Sequence, residues 1–218
     1  CKTFANKHEV IALSYKMQYP KFMYKKEQKD YESDTFKVDG TNYCINTANP
    51  FNWVHVAKKI NKLSPDLVVF QWWHPYFAPC YQIICSLLKT KEILFVCHNV
   101  FPHERFPMDR LLTQATLKKG KYYIVHSKLD EVDLLSVKKD ARYKKAVIPT
   151  YNVFNKSQLE KDDARKILNV AQNEFVLLFF GLIREYKGLK YLLKALSIIK
   201  NKIPNVKLYI VGDFGGEK

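Results

Sequence analysis

The stretch FFGLIREYKGLKYLLKAL, residues 179–196, governs how the rest of the chain is read. Its first two residues close an apolar run, FVLLFF (175–180), that has the character of a buried strand. Gly181 ends that run, a short loop carries Arg184, Glu185 and Lys187, and Gly188 opens a segment with apolar residues at Leu189, Leu192, Leu193 and Leu196. Recurrence every three or four residues is the period of a helix with one buried face. Pro204 and Asn205 stop that helix, and a second apolar run, VKLYIVG (206–212), follows. Strand, helix, strand at this spacing is the unit of a parallel sheet.

Upstream the same alternation repeats. Candidate strands are HEVIALSY (8–15), DLVVFQ (66–71), EILFVC (92–97), YYIVH (122–126) and AVIP (146–149). Helical periodicity covers about 53–64, 78–90, 108–119, 128–139, 159–170 and 188–202, with Ser127 and Asp163 as caps near helix starts. Residues 17–52 are polar, aromatic and poor in period, so they read as a long loop with one strand near 43–45. The stretch PTYNVFNKSQLEKDD (149–163) breaks the pattern and marks a domain junction. The expected fold class is therefore α/β, with residues 1–152 as one domain and 153–218 as the beginning of a second. The chain starts with Cys1 and stops just after an apolar run, so truncation at both ends is expected.

Composition narrows the function classes. With 47% apolar residues the chain can form a globular core. Its five cysteines have no close zinc or redox spacing, which suits reduced, buried thiols in a cytoplasmic protein. Nothing has the form of a signal peptide, and the longest apolar stretch, around 81–88, is too short to cross a bilayer. The net charge of +15 gathers at 21–29, 117–121 and 138–145 and calls for an anionic partner. No cluster has the form of a nucleic-acid module, so nucleic acid is not expected.

In an open parallel sheet, ligands bind at the carboxyl ends of the strands. Three strands run into a histidine there: His74, His98 and His126, half of the six in the chain. The loop CHNVFPHE (97–104) adds His103 and Glu104, groups that can contact sugar hydroxyls or exchange protons. No metal is expected in that loop, because His98 and His103 have no partner at ligand spacing. In the loop 181–188, Arg184 and Lys187 beside a helix start can hold a diphosphate, the guanidinium by forked bonds and the ammonium by charge. DFG at 213–215 has the letters of the kinase metal triplet, but no kinase loop precedes it, and no G-x-G-x-x-G turn marks a dinucleotide site.

FFGLIREYKGLKYLLKAL followed by LYIVGD resembles the donor-binding half of retaining glycosyltransferases of family 4. PDLVVFQWWHPYFAP, HNVFPHE, YYIVHS and VIPTYNVF resemble the N-terminal domain of the same family, in the same order. The resemblance implies a GT-B fold, two Rossmann-like domains with parallel sheets, the second incomplete here. It implies transfer of a sugar from a nucleotide-diphosphate donor, with retention, to a glycan or lipid-linked acceptor in surface polysaccharide or glycolipid biosynthesis. His98 then faces the transferred sugar as the catalytic-site residue, and Gly181, Arg184 and Lys187 hold the donor diphosphate. His74, His103, Glu104 and Ser127 line the substrate side. No cofactor is implied beyond the nucleotide sugar itself.

Leu182 departs from the pattern, since many members carry an arginine directly after the glycine. The family's glycine-rich first loop would precede Cys1, and its two donor-contacting glutamates would follow Lys218. Little or no transferase activity is therefore expected of these 218 residues alone. The basic, aromatic loop 20–31 suits an anionic membrane surface, placing the protein at the inner face of the membrane. Two other readings remain open: a non-catalytic nucleotide or polyanion binder, and a sugar-nucleotide epimerase on a similar fold.

Overall fold

A computed structural model describes residues 2–24, 28, 38–148 and 159–213. The chain divides into two compact units, Cys1–Thr150 and Tyr151–Lys218. Residues 149–158 of the junction stretch, 25–27 and 29–31 of the basic loop, Cys1, and the last two letters of DFG lie outside the described residues.

The first unit begins with a short helix α1 (Lys2–Ala5) and a parallel strand pair, β1 (Leu13–Met17) and β2 (Asn42–Asn46). Helix α2 (Pro50–Leu63) leads to β3 (Val68–Trp72), α3 (Ala78–Leu87), β4 (Ile93–Cys97), α4 (Asp109–Leu117), β5 (Tyr122–Val125), α5 (Lys128–Val137) and β6 (Arg142–Lys145). Strands β3 to β6 form a four-stranded sheet in chain order, parallel throughout. Successive right-handed crossovers in one direction place their helices on one face of such a sheet. Accordingly α2 packs on α3, α3 on α4 and α4 on α5.

Local chemistry explains these elements. Helix α2 has Pro50 in its first turn, and the Asn49 side chain caps the Asn52 amide at 3.2 Å. Trp53, Val56, Ala57 and Ile60 form its buried stripe, and each large apolar side chain so removed from water contributes about 1.5–3 kcal/mol. From the sheet, Phe70 and Trp72, Ile93, Phe95 and Cys97, and Tyr123 and Val125 are buried, at every second position. Phe95 stacks between Phe70 and Tyr123 with ring centroids at 5.4 and 6.3 Å.

Two strands differ from the sequence expectation. The first starts at Leu13 rather than residue 8, because β2 offers partners only from Leu13 opposite Asn42 onward, which leaves Val10 and Ile11 exposed. The last is the charged RYKK of β6, not the apolar AVIP after it. An edge strand needs little apolar surface, and its exposed Arg142, Lys144 and Lys145 discourage pairing with another sheet. The strand expected near 43–45 is β2.

The second unit contains α6 (Lys161–Ile167), β7 (Phe175–Phe180), α7 (Leu189–Lys202) and β8 (Val206–Val211), with β7 and β8 parallel and in register from Phe175 opposite Val206. Glu160, not Asp163, holds the cap position of α6, and Asp163 sits in its first turn. Two strands cannot bury both of their faces: among the described residues of this unit Val170 alone is buried. The architecture is α/β with Rossmann-like parallel sheets, consistent with the GT-B fold. Among the described residues, no helix is long and apolar enough to cross a membrane.

Candidate functional site

At the carboxyl end of the four-stranded sheet, strand parity sorts the candidate residues. Positions 93, 95 and 97 of β4 and 123 and 125 of β5 face the helix layer, so His98 and His126 emerge on the other face. Gln71, next to buried Phe70 and Trp72 on β3, emerges there too. His98 Nε2 lies 2.9 Å from Gln71 Oε1, and the His98 and His126 rings stand 5.6 Å apart at 38°. His126 Nδ1 donates to the Ala146 carbonyl at 2.8 Å. Loss of water to its neighbours, and then the like charge His126 would carry, hold the His98 imidazole below its ordinary value.

The backbone beneath His98 is tied at several points. Its amide donates to Trp72 O at 2.8 Å, and the buried Trp72 indole donates to Val100 O at 3.1 Å. The Val100 amide donates to Asp130 Oδ1 at 3.1 Å. Asp130 in turn accepts the Ser127 hydroxyl at 2.6 Å, while Ser127 Oγ caps the Asp130 amide at 3.0 Å. Ser127 is thus the cap of α5 with its hydroxyl engaged in the protein.

His74 is not part of the imidazole pair. Its Nδ1 accepts the Tyr76 amide at 3.0 Å, capping a 3-10 turn at Pro75–Phe77, and its ring stacks on Phe106 at 5.6 Å. Burial lowers its pKa, and Asp109 opposes that shift. His103 and Glu104 lie exposed farther along the β4 to α4 loop, where Arg105 pairs with Asp109 and packs on the Phe101 ring at 4.7 Å. The residue that sequence reasoning missed is Gln71. Its position one residue before Trp72, with the parity of His98, was the available signal.

In the second unit, β7 is followed directly by Gly181, whose φ of 110° few side chains tolerate. The pairing continues past the strands, with the Gly181 amide donating to Val211 O at 2.9 Å and the Ile183 amide to Asp213 O at 2.8 Å. A 3-10 turn at Glu185–Lys187 follows, then Gly188 with φ 72° starts the fourteen-residue helix α7. Arg184 is half-buried and Lys187 exposed, and neither bonds a carboxylate among the described residues. Glu185 instead pairs with Lys190 at 2.6 Å. The Lys187 ammonium lies back over Gly181, 3.0 Å from where a Cβ there would stand. Two cations with no carboxylate partner among the described residues thus border the start of a helix whose first amides carry partial positive charge. Among the described residues, no group of three histidine, cysteine or carboxylate side chains could hold a metal ion.

Residues 160–218 match the family Glycosyl transferases group 1. The chain is also similar to an uncharacterized glycosyltransferase of Methanocaldococcus jannaschii, 27% identical over 175 residues. That likeness takes in 72% of this chain and 42% of the archaeal protein, so the chain spans about two fifths of that relative's length. This match and this likeness set the chain beside glycosyltransferases, and the parallel α/β folding of both units is consistent with the GT-B fold.

Proposed function

We propose that the full-length protein is a retaining glycosyltransferase that moves a hexose or related sugar from a nucleotide diphosphate to a glycan or lipid-linked acceptor. In that reaction the bond from the anomeric carbon to the diphosphate breaks, a bond to an acceptor oxygen forms, and the acceptor hydroxyl loses its proton. Charge grows on the departing diphosphate, and fixed cations stabilise it most effectively when they are already in place. Arg184 and Lys187 supply that charge, without a metal ion or other cofactor, and Gly181 lets the phosphates approach the backbone.

The observation that carries this reading is the order strand, left-handed glycine, two cations with no carboxylate partner among the described residues, glycine, helix within the segment that matches Glycosyl transferases group 1. His98 serves at the sugar, with His103 and Glu104 as further candidates toward the acceptor. For Ser127 and His74, whose polar atoms cap local turns, a supporting part in shaping that edge fits better than direct contact.

The test is turnover of nucleotide-diphosphate sugars by full-length protein with Arg184→Ala and Lys187→Ala. A hydrogen bond to a charged group contributes about 1.5–3 kcal/mol, so each change should lower kcat/KM by roughly ten- to more than a hundredfold. A general polyanion binder would lose only a small part of its affinity. An epimerase would convert the donor without an acceptor.

Docking on the inner face of a membrane fits a lipid-linked acceptor. Residues 21–24 form a turn closed by bonds from the Met23 and Tyr24 amides to Pro20 O, at 3.0 and 3.1 Å. The Gln28 amide clamps the Tyr19 backbone twice, at 2.7 Å each. Phe22, 81% exposed, stands on this turn beside Lys21. Co-sedimentation with anionic vesicles is expected, and equal binding to neutral ones would remove the electrostatic argument.

A further inference from the structure

We propose that Gln71 and His126 are positioning residues that keep His98 neutral and protonated on Nε2, so that its Nδ1 offers a lone pair to a hydroxyl of the ligand. The inference rests on the reading of this rim as a sugar-binding edge, and it adds which form of the imidazole the sugar meets and what selects that form.

An amide oxygen only accepts, so the 2.9 Å contact to Gln71 Oε1 requires a hydrogen on His98 Nε2. A neutral imidazole has one N–H, which leaves Nδ1 as the acceptor. No described residue bonds Nδ1, and the side chain is exposed at the sheet edge. The Gln71 backbone is itself held, because the Tyr81 hydroxyl donates to its main-chain carbonyl at 3.1 Å and β3 pairs with β4 through Gln71 and Val96.

His126 acts on the charge. Its Nδ1 faces the Ala146 carbonyl, which accepts only, so that hydrogen stays in either protonation state and the ring is fixed. With the rings 5.6 Å apart, a proton added to one opposes a proton on the other. Among the described residues, no carboxylate bonds either ring, and His126 is the ionisable group that bears on His98. Partial loss of water at His98 works in the same direction. A neutral acceptor favours a hydroxyl over a phosphate oxygen, since the latter has no hydrogen to give when ionised.

Long-range nitrogen–proton NMR of the imidazoles in this chain reads the tautomer without any need for activity. The wild type should show His98 in the Nε2–H pattern. Gln71→Met should lose that preference, whereas Gln71→Glu, which keeps an acceptor, should retain it and raise the His98 titration midpoint. His126→Phe should raise the midpoint as well. Gln71 is exposed, and unchanged His74 signals verify that each variant is folded. An Nδ1–H pattern in the wild type, or an unaltered pattern in Gln71→Met, overturns the assignment. Turnover by the full-length His98→Ala protein reads the other half separately: unchanged turnover would sink the sugar-edge reading, whatever the tautomer.

Discussion

A Cβ on Gly212 would stand 1.9 Å from the carbonyl oxygen of Gly181, so the ends of β7 and β8 can approach as they do only because residue 212 has no side chain. Gly212→Ala must push the two backbones apart and disturb the bonds from Gly181 to Val211 and from Ile183 to Asp213. Overpacking of this kind costs about 1–3 kcal/mol. Denaturant unfolding, with hydrogen exchange at the Gly181 and Ile183 amides, should show lower stability and faster exchange. Unaltered exchange would contradict the close approach.

Ser127 caps α5 through the Asp130 amide. Ser127→Ala should lower stability by about 1 kcal/mol, and Ser127→Thr should restore most of it. Thermal unfolding checks this. Lost turnover with no change in stability would instead assign the hydroxyl to a ligand.

Arg105 forms a two-pronged pair with Asp109, and the Phe106 amide adds a bond to the same carboxylate at 3.3 Å. The Arg105 bond, more than the backbone amide, holds the Asp109 carboxyl below its ordinary value. A group with a depressed folded pKa contributes stability that is full above the unfolded value and is lost as pH falls through the folded one. Asp109→Asn should therefore reduce stability at neutral pH and flatten the acid limb of the stability curve. An acid limb that keeps its slope in the variant would show that other carboxylates set it.

Burial pushes the thiols of Cys80 and Cys85 up to about 12 and raises that of Cys97. Alkylation requires both access and thiolate. Among the four described cysteines, half-buried Cys44 should react first with iodoacetamide under native conditions, and the other three only after unfolding. Mass mapping of the alkylated peptides reads the order, and early modification of Cys85 would contradict the packing of α3.

Much of the fold was legible in the chain because its signals are local. Leu189, Leu192, Leu193 and Leu196 announce a helix from their spacing alone, and runs such as ILFVC announce a strand. The signal fails where a strand is defined by its partner instead of its composition. RYKK became β6 because Tyr122 and Tyr123 offered ladder positions to Arg142 and Tyr143, while Val147 and Ile148 stayed exposed.

By itself the sequence determined the α/β alternation, the parallel character of the sheets and the placing of histidines and of Arg184 and Lys187 after strand ends. All of these follow from spacing within one segment. Only the tertiary structure decided that His98 meets Gln71 and His126, while the His74 and Ser127 side chains are taken up as caps of local turns. The physical reason is register: Gln71 lies opposite Val96, and Val96 opposite Ile124, through ladders that join residues distant in the chain. A one-residue slip would send each of these side chains to the other face of the sheet.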